Sequence, residues 1–346
     1  MFVRHGTRTL ALAPAVVLVA TLTAPVVSAS ASEPPERHHA RVHTLTTFAP
    51  SCATVCGSGS TIGPDGALYV TDGVGGRVLR IDRWTGATST FAHGLPGRAT
   101  GVPIGGAMDV AFLGDTAYVL VTVVGPELGQ PGVVDGIYRV NPDGTATAVT
   151  DIGAWAVAHP PQTDFFIKSG VQYAMQPYHD GFLVTDGHHN RILYASTDGF
   201  VREVAAFGDV VPTGLATVDR HVFFTEAGPV PHNPADGKVL VLGRHHRPTR
   251  VIASGAPLLV DVEPGSDGAL YALAQGVWTL PPTEANAGMP ASANTGSLVR
   301  VNDHGGFDTV ATGIDRPTSM EIVGHKAYVV TLTGSVVTVR LPHCDY

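Results

Sequence analysis

Three carboxylates stand where a carboxylate is expensive. Asp109, Asp261 and Glu321 each interrupt a short apolar stretch: A-M-D-V-A-F at 107–112, L-V-D-V-E-P at 259–264 and T-S-M-E-I-V at 318–323. A carboxylate in such a setting must be hydrogen-bonded, solvated or bound to a cation. Oxygen ligands gathered from several strands are what a hard cation takes, so Ca²⁺ or Mg²⁺ is the candidate cofactor. Satisfaction by backbone N–H groups and water is the plainer alternative. If the three stretches are equivalent strands, their acids meet on a common axis, and like charges there raise one another's pKa.

A second acidic set, Asp72, Asp186 and Glu226, closes other apolar strands. Asp at a strand end commonly caps its own turn, and Arg77 and Arg191 are near enough in sequence to pair with Asp72 and Asp186. The candidate ligand-binding residues outside the strands are His159, Phe165, His188, His189, His232 and Trp278, with Glu226 beside them. None of the 16 histidines has zinc-motif spacing. No G-x-S-x-G elbow, phosphate loop or strand-linked G-x-G-x-x-G is present, so no catalytic residue is assigned.

The elements that position these groups repeat. D-G-A-L-Y-V-T-D-G at 65–73 returns as D-G-F-L-V-T-D-G at 180–187 and D-G-A-L-Y-A at 267–272. Degenerate copies begin near residues 114, 219 and 325, which aligns Tyr69, Tyr118, Leu183, Phe223, Tyr271 and Tyr328. A β-repeat of roughly 40–65 residues indicates a propeller blade. A third strand opening on Gly or Asn and an outer strand follow in each unit. The sixth unit lacks an outer strand, and H-T-L-T-T-F-A at 43–49 supplies the matching pattern. The expected fold is therefore all-β: a six-bladed propeller of four-stranded antiparallel blades, its ring closed by an N-terminal strand. That closure also removes an open sheet edge. The loops near 124–135, 227–236 and 275–295 are long, and with the 155–166 segment they should share one rim, where binding usually resides.

The ends and composition bound the setting. Arg4 and Arg8 precede an apolar run from Leu10 to Val27, and Ala29-Ser30-Ala31 offers a cleavage pattern. Residues 1–31 read as a signal peptide, 32–42 as a flexible leader and 43–346 as the propeller, secreted and free of the membrane after cleavage. A net charge of −8 without a basic run argues against nucleic acid as partner. An oxidising compartment permits one disulfide among Cys52, Cys56 and Cys344; Cys52–Cys56 is the expected pair, with a bridge from Cys344 as rival.

The order of motifs resembles one family. V-P-T-G-L-A at 211–216 leads to F-F-T-E-A-G-P-V-P at 223–231. Q-P-Y at 176–178 precedes F-L-V-T-D-G-H-H-N-R-I-L, and L-V-D-V-E-P-G-S-D-G-A-L-Y-A-L-A occupies 259–274. Across about residues 43–340 the chain is similar to the ScyD/ScyE family of secreted propellers, related to NHL and SMP-30/gluconolactonase-like proteins. It departs at Cys52–Cys56 and at Asp219-Arg220-His221. The resemblance implies export and a six-bladed fold but carries no catalytic residue. The SMP-30 lactonases hold a divalent cation partly through an Asp in a P-D-G turn, where this chain has Pro212-Thr213-Gly214. The function expected first is a monomeric binding scaffold whose rim takes a small molecule, glycan or secreted protein. The alternative is a metal-assisted hydrolase or lyase in the central channel, like the lactonases and streptogramin lyase.

Overall fold

The computed structural model describes residues 39–49, 56–243 and 249–342. They form six four-stranded antiparallel sheets. Blade 1 holds β2 (Gly57–Ile62), β3 (Leu68–Asp72), β4 (Arg77–Ile81) and β5 (Thr88–Ala92). Blade 2 holds β6 (Gly106–Leu113), β7 (Thr116–Thr122), β8 (Gly136–Val140) and β9 (Ala146–Asp151). Blade 3 holds β10 (Gln172–Tyr178), β11 (Gly181–Asp186), β12 (Arg191–Ser196) and β13 (Val201–Ala206). Blade 4 holds β14 (Pro212–Val218), β15 (His221–Glu226), β16 (Lys238–Val241) and β17 (Arg250–Ser254). Blade 5 holds β18 (Leu259–Pro264), β19 (Leu270–Ala274), β20 (Gly296–Val301) and β21 (Phe307–Ile314). Blade 6 holds β22 (Pro317–Val323), β23 (Lys326–Thr331) and β24 (Ser335–Arg340), and its fourth strand is β1 (Val42–Thr47), antiparallel to β24 with Val42 opposite Val339.

The repeated D-G turn has a structural cause. In blade 1, Asp65 caps its own turn through Ala67 N–H and takes Arg80 Nε at 2.6 Å. In blade 5, Asp267 takes Tyr271 Oη at 3.0 Å and Arg300 Nε at 3.2 Å. Tyr69 faces Arg80 across its hairpin as Tyr271 faces Arg300. The turn acid thus ties the Tyr of the second strand to the Arg of the third. Blade 3 carries Leu183 in that column, and Tyr194 on its third strand donates to Asp180 instead.

The core lies between blades. Phe182 and Leu193 pack with Tyr118 and Ile137 across blades 2 and 3, while Phe224 and Leu240 pack with Leu183 and Ile192 across blades 3 and 4. Comparable clusters fill the other neighbouring pairs. A blade has no complete core alone, which is why the repeat needs its ring. Because every blade runs from inside outward, second-to-third-strand loops and the links into the next blade share one end. That end carries the segments at 123–135, 152–171, 227–237 and 275–295. Among the described residues one α-helix interrupts the β-pattern there, besides three short 3-10 turns: α1 (Ile152–Ala158), whose N-cap Asp151 accepts from Ala154 N–H at 2.7 Å.

Cys56 is disulfide-bonded. The expected pairing with Cys52, and its Cys344 rival, involve residues outside the described ones. No helix among the described residues is long and apolar enough to cross a membrane.

Candidate functional site

The inner strands β2, β6, β10, β14, β18 and β22 line a central channel, and all contribute to one small cavity that is partly open to solvent. The strand registers set its tiers. Nearest the loop-rich rim stand Ser58, Met108, Tyr173, Val260 and Thr318. Tyr173 reaches across the ring and donates from Oη to the Thr318 carbonyl at 3.1 Å. Blades 3 and 6 are opposite one another, so this side chain bridges the channel at that level. The next tier holds Gly59, Asp109, Ala174, Asp261 and Ser319. Two residues further down come Gln176, Glu263 and Glu321.

Those registers correct the expected equivalence of Asp109, Asp261 and Glu321. Asp109 faces Leu120 and Asp261 faces Leu273, both just after a β-bulge. Glu321 faces Tyr328, as Glu263 faces Tyr271. The counterpart of Asp261 in blade 6 is Ser319, whose hydroxyl pairs with Ser60 at 2.9 Å. The true counterpart of Glu321 is Glu263, which the sequence reading passed over. Counting back from the Tyr column would have found it, because the bulge displaces only the residues before it.

Asp109 and Asp261 are staples. Asp109 Oδ1 accepts from Val110 N–H at 2.8 Å, and Oδ2 from Met175 N–H of blade 3 at 2.7 Å. Asp261 repeats this with Val262 N–H at 2.9 Å and Met320 N–H of blade 6 at 2.7 Å. Each leans on a glycine of the preceding blade. A β-carbon on Gly59 would stand 2.1 Å from Asp109 Oδ1, and one on Gly214 would stand 2.4 Å from Asp261 Cα. In blades 1, 3 and 4 the same position is small, and a threonine of the second strand does the bonding: Thr71 accepts from Gly59 N–H, Thr185 from Ala174 N–H and Thr225 from Gly214 N–H.

Burial pushes all four channel carboxyls upward, Asp261 to about 7. For Glu263 and Glu321 the neighbouring carboxylates add to burial, and a hydrogen bond from Ile62 partly relieves Glu321. Among the described residues, no group of three or more His, Cys, Asp or Glu side chains is arranged to hold a metal ion. The residues present do not fit the Ca²⁺ or Mg²⁺ expected of Asp109, Asp261 and Glu321. Two of the three spend their oxygens on backbone donors, and the third sits in another tier.

The rim residues fall into two groups. Around blade 3, His188 Nε2 accepts from Phe166 N–H at 2.9 Å and Ile167 N–H at 3.1 Å, which requires an unprotonated nitrogen. Burial and the adjacent His189 pull its pKa down to about 4. His189 is 1% exposed, and its Nε2 lies 2.9 Å from the Ile167 carbonyl, so that nitrogen donates. Its Nδ1 lies 3.0 Å from Asp186 Oδ2 and 2.9 Å from Arg191. Arg191 also binds Asp186 at 3.1 Å and the His159 carbonyl at 2.7 Å, beneath Trp155. His159 stacks on Trp155, and Phe165 meets His189 edge-on. These imidazoles hold the 159–167 segment down. Around blades 4 and 5, His232 Nδ1 donates to the Gly228 carbonyl at 2.7 Å and its ring meets Trp278 edge-on. Glu226 lies 3.8 Å from Lys238, and burial lifts its pKa to about 7 against that ammonium. Asp72 pairs with Arg77 at 2.8 Å, so the second acidic set is ion-paired.

No family model and no curated protein matches this chain. Solved structures do. The chain is similar to virginiamycin B lyase from Staphylococcus aureus, with 14% identity over 87% of this chain and 99% of that one, TM-score 0.52. It is similar to a gluconolactonase from Xanthomonas campestris, with 12% identity over 88% and 90%, TM-score 0.57. A chain of a nidogen–laminin complex aligns at 15% identity over 77% and 84%, TM-score 0.50. The neighbours include six-bladed propellers of the gluconolactonase and streptogramin lyase types. At such identities the likeness speaks for the fold alone.

Proposed function

We propose that this protein is a propeller enzyme performing general acid–base chemistry, as a hydrolase or lyase, at the channel cavity. The observation that carries the reading is Glu263 with Glu321. They occupy equivalent positions on adjacent blades, line one cavity and hold their protons far above the usual carboxylate range. Two interacting carboxyls at near-neutral pH give one acid and one base. The ionised member takes a proton from water or from a carbon beside a carbonyl. The protonated member gives its proton to the departing oxygen. Hydrolysis and elimination need the same two groups, and neither step passes through a metal. Neighbours named as a lyase and a gluconolactonase support this reading over a purely binding role.

The signal pattern of residues 1–31 supports a secreted enzyme, and the motif order of residues 43–340 supports a ScyD/ScyE-like origin. A second reading, a binding rim, is favoured by one observation: Phe165 and Phe166 are 38% and 50% exposed beside the blade-3 imidazoles. The test is turnover on a panel of lactones and esters. Glu263→Gln and Glu321→Gln should each lower kcat by about 10²–10⁴-fold, the usual worth of a general acid or base, with melting temperature preserved. Activity unchanged in both variants would sink the proposal.

A further inference from the structure

The cavity is acidic in an unusual way. Asp109, Asp261, Glu263 and Glu321 line it, and no Lys, Arg or His does. Elsewhere three buried acids have cations, Asp186 with Arg191, Glu226 with Lys238 and Asp72 with Arg77, while Asp135 has Val123 N–H instead. A second observation stands apart from the charge. Ser58, 3% exposed and among the cavity-lining residues, carries a hydroxyl with no hydrogen-bond partner. An unpaired buried hydroxyl costs about 1–3 kcal/mol, so it marks a place where a ligand atom would be welcomed.

We infer that the cavity takes a small primary amine, its ammonium seated between Glu263 and Glu321 and a hydroxyl or carbonyl oxygen at its other end meeting Ser58. This rests on the acid–base reading for the site, and it adds the substrate class. An ammonium brings three N–H donors and a full charge to a level lined by Glu263, Glu321 and Gln176, whose oxygens can accept them. A metal ion would need three converging ligands, which the described residues do not provide. Binding a cation stabilises the ionised carboxyls, so amine uptake near neutral pH releases protons to solvent.

The experiment is calorimetry of the full mature protein with 3-hydroxypropylammonium at pH 7.5, repeated in two buffers of different ionisation heat. Propylammonium and Ca²⁺ serve as comparison probes. Saturable binding with proton release is expected, about tenfold weaker or more in Glu321→Gln. Ser58→Ala should weaken the hydroxylated amine and leave propylammonium unchanged. Should Glu321→Gln not fold, as judged by its melting transition, Glu263→Gln takes its place. No binding, equal affinity in the carboxyl variants, or Ca²⁺ binding without amine binding would each overturn the inference. If amines fail while Glu263→Gln and Glu321→Gln still abolish lactone turnover, the acid–base reading stands and only the substrate class falls.

Discussion

The channel and the blade-3 rim bury the same chemical group and treat it in opposite ways. At the rim, Asp186 is fully buried yet lies against Arg191 and His189. In the channel, Asp109 and Asp261 are about as buried and have only backbone N–H groups. A cation makes the rim acid half of an ion pair and a structural anchor. Its absence leaves the channel acids holding protons they can exchange. Burial alone does not decide whether a carboxylate is a tie or a reagent; its nearest cation does. The aromatic and imidazole cluster thus spends most of its polar atoms on holding its own segment, and the less conspicuous glutamates are the groups proposed to do chemistry.

Breaking the rim tie should have the largest effect. Arg191→Met leaves Asp186 buried without its guanidinium and frees the His159 carbonyl, so a loss of about 3–5 kcal/mol is expected in chemical denaturation. Adding Asp186→Leu should recover most of it. A double variant as unstable as the single would show that Arg191 acts through Trp155 and Glu203 instead. Next is the channel packing. Gly214→Ala drives a methyl into the Asp261 backbone and should cost about 1–3 kcal/mol or more. Gly208→Ala, with nothing within 4 Å of the added carbon, is the control. Asp261→Asn should then cost about 1–3 kcal/mol, because an amide nitrogen must face the N–H of Val262 or Met320. A neutral or stabilising result, as a merely solvated acid would give, would remove the staple from the account.

The sequence told the fold, and its alignment of the inner strands put Glu321 two residues out of register with the aspartates. Period and turn chemistry were legible because D-G turns and the Tyr column serve the same Asp–Tyr–Arg tie in different blades. Counting six units needed nothing from three dimensions. The inner strands were harder. Asp109, Asp261 and Ser319 follow the same bulge and Glu321 lies two residues beyond it, but an apolar-pattern alignment paired Glu321 with the aspartates. The glycines that receive those aspartates lie on other blades, about 50 residues away, and a local pattern carries no trace of them. Neither does Tyr173, which reads as an ordinary strand aromatic until its hydroxyl is found on the opposite blade.

The smallest prediction sharpens the comparison most, because the two regions should respond to acid with opposite sign. His188 titrates near 4 in the folded protein and near 6.5 when unfolded. Its folded pKa is lowered, so its contribution is complete above pH 6.5 and fades as pH falls toward 4. Asp261 titrates near 7 folded and 3.8 unfolded. Its folded pKa is raised, so it favours folding at low pH and loses that advantage as pH rises from 3.8 through 7. Between pH 4 and 6.5 the two slopes oppose and the wild-type profile is partly cancelled. His188→Gln keeps an oxygen acceptor for the Phe166 and Ile167 N–H groups and cannot be protonated. It should therefore be about 1 kcal/mol less sensitive to acidification than wild type, a figure reduced from the full shift because the ring is only partly buried. Urea midpoints at pH 4.5 and 7 for both proteins check this. Parallel profiles would mean that the 159–167 segment is held by its aromatic contacts, with His188 contributing packing and no proton linkage.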